Sequence, residues 1–154
     1  MNNPQKVAPF FPKVAKKATS SLSSRPESWK VAPNLLTSCR YAAAGIQYAF
    51  QTQRNFRIQS GLALLGFSLL AWVGAPAVDF YLVLILVAMV MSLELVNTAI
   101  EAVVDLTVGS TYYELAKIAK DCAAGAVFLS AIATLILGCT LVLPQVWVKL
   151  SSLF

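Results

Sequence analysis

Apolar residues in this chain fall into one segment of helical period followed by three long, nearly uncharged runs. In residues 34–57 apolar side chains recur every three or four positions while Arg and Gln share the other side, which predicts an amphipathic helix lying in a membrane surface. Residues 58–77, 80–105 and 121–143 are each apolar and long enough to predict a transmembrane helix. The predicted fold is therefore an all-α membrane protein with one surface helix and three spanning helices.

The two ends of the chain lack this pattern. Residues 1–33 are rich in Lys, Pro and Ser without a sustained apolar period, which predicts a flexible basic tail. The third apolar run stops at Pro144, so residues 146–154 are predicted to form a short C-terminal tail. One membrane domain over residues 34–145 accounts for the rest, as expected for a chain of 154 residues.

Composition and charge agree with a membrane location. Hydrophobic residues make up 58% of the chain and charged residues 12%, against roughly 45–50% and 25% in soluble domains. Nine of the twelve basic residues precede the first long apolar run, which predicts a cytoplasmic N-terminus in a cell-membrane protein. By the same rule the loop with Lys117 and Lys120 is cytoplasmic, and Asp79 faces the other side. Nucleic acid is not an expected partner of so apolar a chain.

Four polar residues interrupt the second apolar run and fall on one side of its predicted helix. Glu94, Asn97, Glu101 and Asp105, here called the polar row, lie within about 80° of one another around the helix axis and extend roughly 16 Å along it. The row runs from inside the lipid to the aqueous surface. An ionisable residue within a membrane segment is costly and commonly marks a functional site, which makes Glu94 the leading candidate.

The polar row carries groups that suit phosphoryl transfer. Glu101 and Asp105 offer oxygen ligands for Mg²⁺, and Lys120, beside Asp121, offers positive charge for phosphate. Glu94 is deep enough to accept a proton from a lipid hydroxyl. Two alternatives use the same carboxylates without catalysis: helix packing, and a proton relay or channel subunit. Lys120 favours a kinase, because a relay needs no cation for phosphate. Zinc and Cys–His chemistry is not expected, since the chain has no His and no CxxC spacing.

These residues also resemble a known family. The segment from Glu94 to Asp105, ELVNTAIEAVVD, resembles the signature of the small prokaryotic diacylglycerol kinases, a family that also contains undecaprenol kinases. Lys120 and Asp121, after a short loop with Tyr112, resemble the family's second motif, and parts of residues 44–57 resemble its surface helix. The resemblance covers residues 34–145.

The resemblance implies a homotrimer that uses ATP and Mg²⁺ to phosphorylate a lipid alcohol. By matching position it implies that Glu94 is the general base, that Asn97 helps to place nucleotide and lipid substrate, and that Glu101 binds the metal. The nucleotide-binding residues implied in the same way are Tyr41, Asn97, Glu101, Asp105, Lys120 and Asp121.

Two departures from the family affect these expectations. Gln53 stands where members carry a metal-binding Glu, and an amide oxygen binds a hard cation less strongly than a carboxylate does. The loop before Tyr112 is one residue longer than in diacylglycerol-specific relatives, and residues 115–127 resemble the undecaprenol-kinase branch more closely. We therefore expect undecaprenol as the acceptor ahead of diacylglycerol. A degenerate kinase that binds lipid without turnover, with Gln53 as its lesion, is the remaining alternative.

Overall fold

Four α-helices make up residues 34–153, the part of the chain that the computed structural model describes. They are α1 (Leu35–Thr52), α2 (Arg54–Val73), α3 (Ala77–Val108) and α4 (Glu114–Ser151). No strand occurs within these residues, which confirms the all-α prediction. The predicted tail of residues 1–33 lies outside the described residues.

Three of the helices, α2, α3 and α4, are long and apolar enough to cross a membrane. Their 20, 32 and 38 residues correspond to about 30, 48 and 57 Å of helix, against about 30 Å of hydrocarbon in a bilayer. Large apolar side chains on each helix, such as Leu64, Ile85 and Ile136, are exposed. Apolar outer faces of this kind are typical of helices whose solvent is lipid.

The segment predicted to form a surface helix is divided at Gln53. The prediction was one helix over residues 34–57, but Gln53 has an extended backbone (φ −94°, ψ 116°) and separates α1 from α2. Arg57 Nη1 donates to the backbone carbonyls of Phe50 and Gln51, at 3.3 and 2.9 Å. These bonds satisfy carbonyls that the end of α1 leaves without helical partners, so the break is stabilised locally.

The third long helix ends later than the sequence predicted. Neither the predicted stop at Pro144 nor a C-terminal tail over residues 146–154 is observed, because α4 continues through Pro144 to Ser151. Proline removes one backbone hydrogen bond from a helix, here the bond to the carbonyl of Thr140, and membrane helices tolerate proline within a span. The next residue, Gln145, connects this turn of α4 to α3, since its Nε2 donates to Asp79 Oδ2 at 2.7 Å and to the carbonyl of Leu141 at 2.9 Å.

Tight turns and side-chain contacts fix the arrangement of α2, α3 and α4. Gly74 ends α2 with φ +75°, in the left-handed region that favours glycine. A buried cluster then joins the three helices through Leu70, Val83 and Val142. The antiparallel register of α3 and α4 follows from three hydrogen bonds, which pair Asp105 with Lys120, Leu86 with Thr134 and Asp79 with Gln145.

Candidate active site

A groove of about 630 Å³ runs between α2, α3 and α4. On α3 its lining extends from Glu101 to Val83, about 27 Å along the helix axis. Polar side chains line the part near Glu101, here called the polar end, and apolar side chains line almost all of the rest, here called the apolar end. The residues of the polar end are Gln53, Asn55, Gln59, Glu94, Asn97 and Glu101.

Glu94 lies where the polar end meets the apolar end. Its residue surface is only 2% exposed, and its Oε2 has no hydrogen-bond partner among the described residues. Burying a carboxylate oxygen without a partner is costly, so proteins retain such groups mainly at functional sites. Because Glu94 lines the groove, Oε2 is positioned to accept a hydrogen bond or a proton from a molecule that occupies it.

Asn97 connects two members of the polar row. Its Nδ2 donates to Glu101 Oε1 at 3.0 Å, whereas its own Oδ1 is buried and lacks a partner within residues 34–153. The hydrogen bond orients the Glu101 carboxylate beside the groove that both residues line. On α3 the polar end therefore combines two carboxylates and one amide, as the helical spacing of the polar row predicts.

Gln59, on α2, is a polar-end residue that the sequence analysis missed. Its Oε1 is buried without a partner in the described part of the chain, and the residue lines the groove. The two serines of α2, Ser60 and Ser68, instead donate to carbonyls of their own helix at 2.8 and 2.7 Å. The signal available in the sequence was Gln59 itself, a long amide side chain at the start of an apolar run.

Two ion pairs lie beyond the polar end, and neither lines the groove. Lys120 Nζ is 2.6 Å from Asp105 Oδ1, and Lys117 Nζ is 2.6 Å from Asp121 Oδ2. The structure thus brings together Asp105 and Lys120 of the predicted nucleotide-binding set. It pairs Asp121 with Lys117, a lysine to which the sequence analysis assigned no role.

The remaining predicted residues differ in position. Gln53 lines the polar end, together with Glu94, Asn97 and Glu101. Tyr41, on α1, is 43% exposed and does not line the groove. The predicted catalytic, metal-binding and substrate-binding residues therefore share one site, whereas the nucleotide-binding residues do not all lie in it.

Oxygen donors at the polar end suit a hard cation. Within residues 34–153 no group of three or more His, Cys, Asp or Glu residues could hold a metal ion. Magnesium commonly keeps several waters and takes only one or two carboxylates besides substrate phosphates. The Glu101 carboxylate, the free Asn97 Oδ1 and the amide oxygen of Gln53 are consistent with that requirement.

Three helices of spanning length and a groove with the carboxylates of Glu94 and Glu101 at one end define a helical membrane protein with an acidic site. Residues 40–142 match the family model of prokaryotic diacylglycerol kinase. The chain belongs to that family and is a lipid kinase. The family resemblance and the enzyme class predicted from the sequence are thereby confirmed, and the non-enzymatic alternatives lose their support.

The chain is similar to relatives named diacylglycerol kinase and to a relative named undecaprenol kinase. A diacylglycerol kinase of Synechocystis sp. is 59% identical over 123 residues, which cover 78% of this chain and 69% of the relative. The undecaprenol kinase of Bacillus subtilis is 36% identical over 105 residues, covering 68% and 85%. The diacylglycerol kinase of Escherichia coli K12 is 34% identical over 107 residues, covering 70% and 87%.

Proposed function

We propose that this protein transfers the γ-phosphoryl group of ATP directly to the hydroxyl of diacylglycerol in the cell membrane, with Mg²⁺ assisting. The observation that carries the proposal is the unpartnered Glu94 Oε2 at the junction of a polar and an apolar groove surface. A lipid alcohol has the matching chemistry, because its hydroxyl lies between a polar headgroup region and hydrocarbon chains. Its hydroxyl would meet Glu94 while a chain follows the apolar end.

In this proposal Glu94 is the general base. The acceptor hydroxyl donates its hydrogen bond to Glu94 Oε2 and loses its proton as the new O–P bond forms. The electrons of the breaking P–O bond pass to the β-phosphate oxygen of the departing ADP. A positioned base of this kind contributes about 10²–10⁴-fold to rate. Asn97 supports the step by holding Glu101 at 3.0 Å and by offering Oδ1 to the substrates.

Glu101, with the weaker oxygen of Gln53, is proposed to hold the metal. When bound there, Mg²⁺ supplies positive charge that offsets the negative charge of the phosphoryl group in transfer. The support for this assignment is the chemistry of the donor set, since Glu101, Asn97 and Gln53 all carry side-chain oxygen and line the same end of one groove. The amide at position 53 predicts a higher magnesium requirement than a carboxylate would give.

The nucleotide is proposed to bind where the polar row reaches water. Lys120 is paired with Asp105 at 2.6 Å and remains 37% exposed, so a triphosphate can compete with the carboxylate for the ammonium group. Asp121 would contact the nucleotide alongside these residues, and Tyr41 would stack on the base from the surface helix. The family motif is the basis for the last two roles.

The choice of acceptor weighs two observations against each other. The loop length and residues 115–127 favour undecaprenol, and that preference stays a prediction. The Synechocystis relative is named diacylglycerol kinase and is 59% identical, whereas the relative named undecaprenol kinase is 36% identical. Because the larger identity extends over 123 residues, we give diacylglycerol precedence and retain undecaprenol as the second candidate.

The assembly and orientation complete the proposal. We expect a homotrimer, on the basis of the family resemblance, with the N-terminus and the site on the cytoplasmic side. Helix α1 is proposed to lie in the membrane surface, because its Ile46 and Phe50 are 48% and 49% exposed. Arg40 on α1, with Arg54 and Arg57 in the first turn of α2, would provide charge for lipid headgroups.

A single assay tests the function. Purified protein in mixed micelles receives γ-labelled ATP and either diacylglycerol or undecaprenol, with magnesium or with EDTA. We expect magnesium-dependent label in the lipid phase, with the higher kcat/KM for diacylglycerol. A higher kcat/KM for undecaprenol would reverse the choice of acceptor. Absence of labelled lipid with both acceptors would contradict the proposed function.

A further inference from the structure

Two glycines at the apolar end of the groove have open space beside them in the described part of the chain. Gly66 on α2 and Gly138 on α4 both line the groove, and a Cβ added at either position meets nothing within 4 Å. Glycine lowers helix stability relative to alanine, and membrane helices commonly use it where another helix approaches closely. Neither glycine serves that purpose within the described residues, so the space beside them is left for something else.

Both glycines lie at about the same depth, well below Glu94. On α4, Gly138 is between Thr134, which bonds to the carbonyl of Leu86, and Gln145, which bonds to Asp79. That register places Gly138 about 15 Å further along α3 than Glu94. Gly66 is one turn before Leu70, a member of the buried cluster with Val83 and Val142 that follows this level of the groove.

We propose that Gly66 and Gly138 keep the apolar end open for the hydrocarbon chain of the acceptor and thereby set the chain length that the kinase accepts. This inference rests on the proposed function, because it takes the acceptor hydroxyl to be at Glu94. The unpartnered Glu94 Oε2 and Asn97 Oδ1 fix the polar group of the ligand at one end, and the vacant space at the glycines receives its chain at the other.

The test replaces Gly138 by leucine and compares two diacylglycerols in mixed micelles. A dihexanoyl acceptor is too short to reach the glycines, whereas a dioleoyl acceptor passes them. For Gly138→Leu we expect kcat/KM to fall about tenfold with dioleoylglycerol, because the leucine side chain occupies space that the hydrocarbon chain needs, and to remain nearly unchanged with dihexanoylglycerol. If undecaprenol proves to be the acceptor, farnesol and undecaprenol form the corresponding pair.

Matched controls come from the same helices. Gly61 on α2 and Gly125 on α4 also have nothing within 4 Å of an added Cβ, but neither lines the groove. Gly61→Leu and Gly125→Leu should leave the ratio of the two kcat/KM values unchanged. If Gly138→Leu does not fold, Gly138→Ala replaces it, with an expected shift of the same ratio in the same direction but smaller, because one methyl group fills less of the space.

Three results would overturn the inference. They are an equal loss with both acceptors, no loss with either, and the same chain-length effect in the control variants. An equal loss accompanied by a changed oligomeric state on size-exclusion chromatography would assign the glycines to contact with a second copy. Wild-type protein that phosphorylates no lipid alcohol would instead contradict the proposed function itself, so the two failures are distinguishable.

Discussion

The two ends of the α2–α4 bundle differ in whether their polar side chains have hydrogen-bond partners. At one end, Asp79 Oδ2 accepts a hydrogen bond from Gln145 at 2.7 Å, near the packed cluster of Leu70, Val83 and Val142; this region is called the closed end. At the polar end of the groove, Glu94 Oε2, Asn97 Oδ1 and Gln59 Oε1 are buried without partners among the described residues.

This difference indicates that the closed end contributes mainly to stability and the polar end mainly to function. A buried polar group that has its partner contributes to stability, whereas one without a partner costs stability and is retained where a ligand supplies the missing bond. Substitutions at the polar end should therefore change turnover more than unfolding. Substitutions at the closed end should change unfolding more than turnover.

The largest expected effect is that of Glu94→Gln, which keeps the shape of the side chain and removes its ability to accept a proton. We expect lipid phosphorylation to fall about 10²–10⁴-fold while ATP binding, measured by titration calorimetry, is largely retained. Asp79→Asn removes a carboxylate of the closed end and serves as the control, with kcat close to wild type. Near-normal turnover of Glu94→Gln would remove the role of base from this residue.

At the closed end, Leu70→Ala should lower stability with little change in kcat. Leu70 is fully buried, at 0% exposure, so truncation leaves a cavity that costs about 1–3 kcal/mol, less than in a water-soluble core because lipid supplies no hydrophobic drive. The midpoint of thermal unfolding in detergent measures the loss. Leu64→Ala, on the same helix at 70% exposure and outside the groove, should shift that midpoint much less.

A smaller effect is expected at the polar end for the magnesium requirement. In Gln53→Glu a carboxylate replaces an amide beside Glu101, and we expect the magnesium concentration for half-maximal activity to fall several-fold. A magnesium titration of activity at fixed ATP measures this change. Glu101→Gln should have the opposite and far larger effect, because it removes the principal carboxylate. Identical curves for wild type and Gln53→Glu would exclude Gln53 from the metal site.

The smallest effect belongs to the hydrogen bond of the closed end. Gln145→Leu leaves Asp79 without its partner, and bonds of this kind between membrane helices average about 0.6 kcal/mol. The free energy of unfolding, measured by equilibrium denaturation, should fall by about that amount. A double-mutant cycle with Asp79→Ala isolates the pair, and a coupling energy of zero would show that the bond contributes nothing to stability.

Much of the helical content was predictable because it depends on local pattern. The number of long helices and the grouping of Glu94, Asn97 and Glu101 follow from apolar runs and the helical period. The break at Gln53 and the passage of α4 through Pro144 were not predicted. The first is stabilised by Arg57 donating back to α1, and the second accompanies the contact of Gln145 with α3. Neither contact is visible in periodicity.

The sequence by itself determined which residues share a face of one helix, because 3.6 residues per turn is a property of the backbone alone. Only the tertiary structure decided which faces meet. The rotation and register of α2, α3 and α4 place Gln59 opposite the polar row, pair Lys120 with Asp105 and leave the groove open beside Gly138. Rotation and register result from side-chain packing between segments distant in sequence, which no pattern along a single helix contains.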